Sequence, residues 1–308
     1  MKYRKLGNTG LEVSVVGIGT YQYGGEWGKT FSRVQVRDIL KNGQKHGINL
    51  IDTAECYGDH LSESLIGYSI KEDRSNWIIA SKFGHHFLPN FSREQIWDAI
   101  GVQKQLEDSL KALQTDYIDI YMFHSCTNEQ LQNDKLWSFL LKAKQEGKIK
   151  HIGLSLKSQV QDNVSQTKYA IERGVEVIEL LYNRLDRTPE KEVFVLCQEA
   201  NVGVIARVPL ASGFLSGKYN QGVIFPNDDV RSAQNGDLVD NRIAIVQEIK
   251  RKEVPENMDM AQWAIAWCLK HDAVSTCIPG FKSPEQLVQG VGAAEIDLVS
   301  ALHPLSVH

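Results

Sequence analysis

Nowhere in the chain do 18 apolar residues run together, so there is no candidate for a membrane-spanning helix. Neither sign of charge prevails: 34 lysines and arginines stand against 38 aspartates and glutamates, for a formal charge of -4. The basic residues are spread along helices opposite glutamates, so a nucleic-acid or anionic-lipid partner lacks its electrostatic footprint. Cysteine is scarce and odd in number, five residues with no C-x-x-C pair, which argues against a disulfide framework or a zinc site. No Pro/Ser-rich linker divides the chain, and residues 1–308 are expected to form one domain. No hydrophobic signal region follows Met1, so the expectation is a soluble, cytosolic protein, and a monomer.

What is present is a repeat. Apolar, β-branched runs occur at 13–20, 48–54, 77–83, 117–124, 151–156, 176–183, 202–210 and 274–280. Stretches of helical period lie between them. Ser32 precedes Val34, Val36, Ile39 and Leu40, with Gly47 beyond; Ser92 with Gln95 three residues on reads as a capping box. Others follow at 133–147, 158–174, 189–201 and 259–271, and Ser283 is followed by Pro284 at a first helical position. Strands that are continuously apolar are buried on both faces, which means a parallel sheet, and eight such units close into a (β/α)8 TIM barrel. A short hairpin, 3–6 with 11–14, precedes it. An open doubly wound sheet is the alternative, but Gly17, Gly19, Gly24 and Gly25 do not form the dinucleotide fingerprint such a sheet would carry after its first strand.

Asp52, Tyr57, Lys82 and His124 each fall at the carboxyl end of a different run or in the loop after it, where barrels carry their chemistry. Phenol is a poor acid at neutral pH, and a buried ammonium nearby favours its ionised form. A tyrosine beside a lysine and a histidine therefore suits protonation of a carbonyl oxygen. Cys56 and Cys126 flank this set, with inert packing the commoner role for a free thiol. His85 and His86 suggest a metal, but neighbours on one extended segment point to opposite faces, so no metal is expected.

Over essentially its full length the chain resembles the aldo-keto reductases. The resemblance is carried by Leu6-Gly7-Asn8-Thr9-Gly10, Ile51-Asp52-Thr53-Ala54-Glu55-Cys56-Tyr57-Gly58, Ala80-Ser81-Lys82, His124, Ile152-Gly153-Leu154-Ser155, Pro209-Leu210-Ala211-Ser212-Gly213 with Gly217-Lys218-Tyr219, and Ile278-Pro279-Gly280. It implies an NADPH-dependent reductase of small-molecule carbonyls, with the dinucleotide lying across the mouth of the barrel. Tyr57 would be the general acid, Lys82 would lower its pKa, Asp52 would orient Lys82, and His124 would position the carbonyl. Cofactor contacts are expected from Gly19, Thr20, Tyr21 and Asp52, and from the small-residue loop with Pro209, Leu210, Ala211, Ser212, Gly213, Leu215 and Gly217. Lys218 would be a counter-charge to the pyrophosphate. Gly280, Lys282 and Gln286 are expected at the adenosine end, where Lys282 and a helix N-terminus suit a 2'-phosphate and favour NADPH over NADH.

Departures from the family pattern stand at Ser155-Leu156, Glu179 and Arg207, where the nicotinamide would sit. Arg207 is expected to stack on the ring with Glu179 as its charge partner, easing release of the oxidised cofactor. Tyr21, Tyr23, Trp27, Phe87 and Phe31 would line an aromatic mouth suited to hydrophobic aldehydes. The stretch 218–240 reads as a loop over the cofactor, with Asp228, Asp229 and Arg231 either a solvated face or contacts. The short tail 301–308 leaves the site open. A nucleotide-sensing module on the same fold, and a lyase using Lys82 as a Schiff-base amine, are the competing functions.

Overall fold

In the computed structural model, which describes residues 1–158, 161–234 and 236–298, all eight expected runs contribute parallel strands to one sheet. The first run divides. Tyr3–Lys5 (β1) and Glu12–Ser14 (β2) pair as the antiparallel hairpin, and only Ile18–Gly19 (β3) joins the barrel. Then come Leu50–Asp52 (β4), Ile78–Phe83 (β5), a second hairpin of His85–Leu88 (β6) and Ser92–Gln95 (β7), and Ile118–His124 (β8). Ile149–Ser155 (β9), Val177–Leu181 (β10), Gly203–Arg207 (β11) and Thr276–Ile278 (β12) complete the set. Neighbours run β3-β4-β5-β8-β9-β10-β11-β12, and the bridges Val16 to Cys277 and Gly19 to Gly280 bring the last strand round to the first. A Cβ on Gly19 would lie 2.6 Å from the Ile278 carbonyl oxygen, so glycine is what lets the two ends meet.

Local signals were followed at most helix starts and overridden at one. Ser32 and Gln35 form a reciprocal box, with Gln35 N 3.3 Å from Ser32 Oγ and Ser32 N 2.9 Å from Gln35 Oε1. The box expected at Ser92 and Gln95 does not exist: these residues pair across β6, Ser92 with Leu88 and Gln95 with His85. The helix Ala99–Leu113 starts instead behind Asp98, whose side chain accepts from Gly101 N at 2.9 Å. A capping box is a local pattern, and here cross-strand pairing outcompetes it. Three further helices, Leu61–Ile70, the short Asn128–Leu131 and Asp237–Glu253, lie outside the expected stretches. The start of the expected 158–174 helix and the tail 301–308 fall partly or wholly outside the described residues. Among those described, no helix is long and apolar enough to cross a membrane.

The barrel interior positions the site. Leu50, Ala80, Ile120, Met122, Val177, Ile205 and Ile278 form one apolar cluster with Leu6 and Val13 of the hairpin, which plugs the N-terminal end. Side chains two apart on a strand point the same way. Two steps beyond Leu50, Ala80, Met122, Val177 and Ile205 stand Asp52, Lys82, His124, Glu179 and Arg207. The apolar layer is therefore capped by a polar one at the C-terminal mouth.

Candidate active site

Lys82 is wholly enclosed and sits between two carboxylates. Its ammonium contacts Asp52 Oδ1, donates to the Thr53 carbonyl at 2.9 Å, and lies 3.4 Å from Glu179 Oε2. Ser155 Oγ donates to Glu179 Oε1 at 2.9 Å. Glu179 was expected to serve Arg207. Lys82 is its nearer cation, for the Arg207 Nε is 3.7 Å away and the Arg207 Nη2 donates instead to the Leu156 carbonyl at 2.9 Å and to Ser158 Oγ at 3.2 Å. Burial opposes the Lys82 ammonium, but Asp52 and Glu179 more than offset it and hold the amine above its ordinary value. Burial and the neighbouring Glu179 raise the Asp52 carboxyl against the pull of Lys82. Glu179, though buried, is held below its ordinary value by Lys82 and Arg207, so the carboxyl pushed upward is that of Asp52.

Tyr57 and His124 stand over this pair. The Lys82 ammonium is 5.4 Å from the Tyr57 ring centroid, and the ring stacks on Tyr21 with centroids 4.8 Å apart and meets His124 edge-on at 6.1 Å. Two glycines seat it. A Cβ on Gly58, whose φ is +72°, would fall 2.4 Å from the Gly24 carbonyl oxygen, and one on Gly24 would fall 2.6 Å from the Tyr57 carbonyl carbon. Burial holds the Tyr57 phenol well above its ordinary value and Lys82 opposes that without reversing it, so the hydroxyl keeps its proton at neutral pH. Lys82 pulls the phenol down as expected, but burial outweighs it. His124 is driven well below its usual range by burial and then by Lys82, His85, Arg207 and Arg93, and is a neutral imidazole.

A thiol and two imidazoles also meet here. Cys56 Sγ lies 3.7 Å from His124 Nδ1, the His85 and His124 rings stack at 4.7 Å, and donor atoms of the three lie within 4.8 Å of one another. The donor types suit a borderline-soft cation. The surroundings do not, because Arg93, Lys157 and Arg207 line the same space and burial pushes the Cys56 thiol up to about 12. Burial likewise pushes Cys126 up to about 12, and all five cysteines are buried free thiols.

A cavity of about 580 Å³ runs from this layer across the barrel mouth. Of the expected cofactor residues, Gly19, Thr20, Tyr21, Asp52, Glu179, Arg207, Pro209, Leu210, Ser212, Gly213, Lys218, Gly280, Lys282 and Gln286 line it. Ser155, Ala211, Leu215 and Gly217 do not: Ser155 is buried against Glu179, Ala211 and Leu215 pack into the core, and Gly217 supplies a left-handed turn at φ +70°. Beside the cavity, Val208, Ala211 and Ser212 hold φ of 58°, 47° and 59°. Non-glycine residues in that region cost about 1–3 kcal/mol each and cluster where backbone amides are shaped around a ligand. With Lys218, Lys282 and Arg231 on its walls, this cradle fits a dinucleotide.

The aromatic mouth is only partly as expected. Tyr21 and Trp27 line the cavity. Tyr23 does not, being fully buried with its hydroxyl 3.3 Å from the Phe281 carbonyl and its ring packed on Phe31. Phe87 lies beneath the Arg93 guanidinium, 5.1 Å from its ring centroid, and Phe91 of the same hairpin lines the space instead. Of the three charged residues that could be a solvated face or contacts, Asp228 is exposed, whereas Arg231, which lines the cavity, and Asp229 are buried. Their ion pair sits with the guanidinium 5.0 Å from the Trp27 ring, 4.3 Å from that of Phe225, and 3.2 Å from the Ser212 carbonyl. Signals for this lay only in tertiary packing.

Glu55, next to the site, accepts from His85 N and Gln105 Nε2, both at 3.1 Å, and burial together with Glu63 raises its carboxyl from 4.5 to about 9. The folded protein therefore holds a proton here that the unfolded chain gives up above about pH 4.5, and stability falls as pH rises from there to about 9. Glu55→Gln is expected to flatten that slope. At pH 9 the variant should melt about 2–4 °C above the parent for each kcal/mol recovered, with no gain at pH 4, as thermal unfolding at the two pH values will show.

A polar layer at the C-terminal mouth of an eight-stranded barrel is where enzymes of this architecture do their chemistry. Comparison with known proteins gives the family. Residues 15–303 match the pattern of the Aldo/keto reductase family, and the chain belongs to it; it is an oxidoreductase of a family that uses nicotinamide cofactors on carbonyl substrates. It is 31% identical to an uncharacterized oxidoreductase, YqkF, of Bacillus subtilis, over 96% of this chain and 91% of that one. Among solved structures it is similar to the holo form of the aldo-keto reductase AKR11C1 from Bacillus halodurans, with TM-score 0.80, 30% identity, and coverage of 98% of this chain and 93% of the other. The glycerol dehydrogenase AKR11B4 from Gluconobacter oxydans superposes with TM-score 0.83 at 26% identity, covering 97% and 92%.

Proposed function

We propose that the protein is an NADPH-dependent carbonyl reductase in which Tyr57 is the general acid. The observation that carries this reading is a neutral, half-buried tyrosine hydroxyl at the barrel mouth beside a neutral histidine, over a buried ammonium that its carboxyl neighbours keep charged. When bound, a reduced nicotinamide supplies hydride to the carbonyl carbon. As the C=O π bond opens, Tyr57 delivers its proton to the oxygen, Lys82 stabilises the phenolate left behind, and solvent returns the proton. His124 donates a hydrogen bond that orients the carbonyl. Tyr21, Trp27 and Phe91 offer ring faces for a hydrophobic body. Lys218 and Lys282 on the cavity wall favour the phosphorylated dinucleotide. Lys82 is unsuited to Schiff-base chemistry, because Asp52 and Glu179 hold it protonated. Five buried free thiols suit the reducing cytosol.

The test is a fluorescence titration with NADPH and NADH followed by carbonyl-dependent loss of nicotinamide absorbance. Tight NADPH binding with turnover is expected, and binding with no turnover on any carbonyl would favour a sensor. Arg207 bears on the same titration. A guanidinium beside the ring disfavours the positively charged oxidised form. Arg207→Ala should therefore tighten NADP⁺ relative to NADPH by several-fold. An unchanged ratio of the two dissociation constants would remove Arg207 from the ring.

A further inference from the structure

Adjoining the dinucleotide cavity, and sharing Tyr21, Tyr57, Glu179 and Arg207 with it, is a second chamber of about 450 Å³ walled by Arg93, Lys157 and Arg207. Its single lining carboxylate, Glu179, is already shared by Lys82 and Arg207. Arg93 is fixed by an ion pair with Glu26, whereas the Lys157 ammonium forms no ion pair among the described residues. The imidazoles in the chamber register the positive field. His85 is pushed down to about 4 by burial, then by Arg93 and Lys157. Tyr21 and Phe91 give the same space flat walls.

We propose that this chamber receives an anionic carbonyl compound, a carboxylate or phosphate on a flat body, with the anion on Lys157, Arg93 and Arg207 beside it, and the carbonyl at Tyr57 and His124. The inference rests on the reductase reading and narrows its substrate class. An enclosed anion meeting a positive wall gains a charge-assisted hydrogen bond, while a neutral isostere leaves those cations unmatched.

Purified protein with NADPH should be offered 4-carboxybenzaldehyde, its methyl ester and 4-formylphenyl phosphate, each also with Tyr57→Phe. The expected kcat/KM for an anionic probe exceeds that for the ester by about tenfold or more. The ratio should shrink as salt is raised. Lys157→Met should lower the ratio at least about fivefold, and Lys157→Arg should keep it. Whichever anionic probe is faster identifies carboxylate or phosphate as the natural group. An ester reduced as fast as both anions, or a ratio untouched by Lys157→Met, overturns the proposal and leaves the reductase standing. No Tyr57-dependent oxidation of NADPH with any probe overturns both.

Discussion

Tyr57→Phe is expected to lower kcat by about 10²–10⁴-fold on every carbonyl while leaving dinucleotide affinity intact. The substitution removes only the hydroxyl. The ring that stacks on Tyr21 and meets His124 is retained, so the cavity wall keeps its shape. What is lost is the proton that burial keeps on the phenol; His124, a neutral imidazole whose Nδ1 faces Cys56, can orient a carbonyl but is a far weaker proton donor than an acid stabilised by Lys82. Steady-state kinetics beside a fluorescence titration of NADPH separate the two quantities. A loss that fell on KM alone, or a kcat reduced by less than about tenfold, would show that Tyr57 is not the acid.

Lys82→Met should cost about 3–5 kcal/mol of stability as well as most of the activity. Methionine fills the space of the lysine stem but leaves Asp52 and Glu179 in the barrel with no ammonium between them. Their carboxyls can then be accommodated only by taking up protons, so the deficit should be smaller near pH 5 and grow as pH rises. Chemical denaturation at both pH values tests this. Adding Glu179→Gln should restore part of the loss, since it removes one of the two carboxyls that lose the ammonium while Arg207 and Ser155 remain beside it. If the double variant is no more stable than Lys82→Met alone at pH 8, Glu179 is not a partner of Lys82.

Most of the polar layer was legible because two rules coincide: strand side chains alternate, and barrel chemistry sits at strand C-termini. Asp52, Lys82 and His124 stand at or near strand ends, Glu179 and Arg207 were singled out as departures from the family pattern, and the structure brings all five to one mouth. Where side chains are placed by packing rather than by period, the sequence reading failed. Tyr23 sits two residues from Tyr21 in the same turn, yet faces the core because the Phe281 carbonyl and Phe31 lie there. Asp229 and Arg231 have the composition of a solvated loop, and only the folded chain supplies the Trp27 and Phe225 rings that enclose them. Ser92 and Gln95 carry a helix-start pattern whose partners, Leu88 and His85, lie four and ten residues upstream, outside the window a capping rule inspects.

That hairpin has a consequence for how the molecule divides its labour. The chamber wall contributed by His85, Phe91 and Arg93 is an inserted ribbon outside the eight-stranded sheet, anchored through Glu55, Gln105 and Glu26. The layer holding Lys82 belongs to the barrel itself. Part of the chamber wall and the group that holds the proton are thus separate pieces of chain, so exchanging the ribbon would alter Phe91 and Arg93 while Lys157, Arg207 and the reaction centre stay on the barrel.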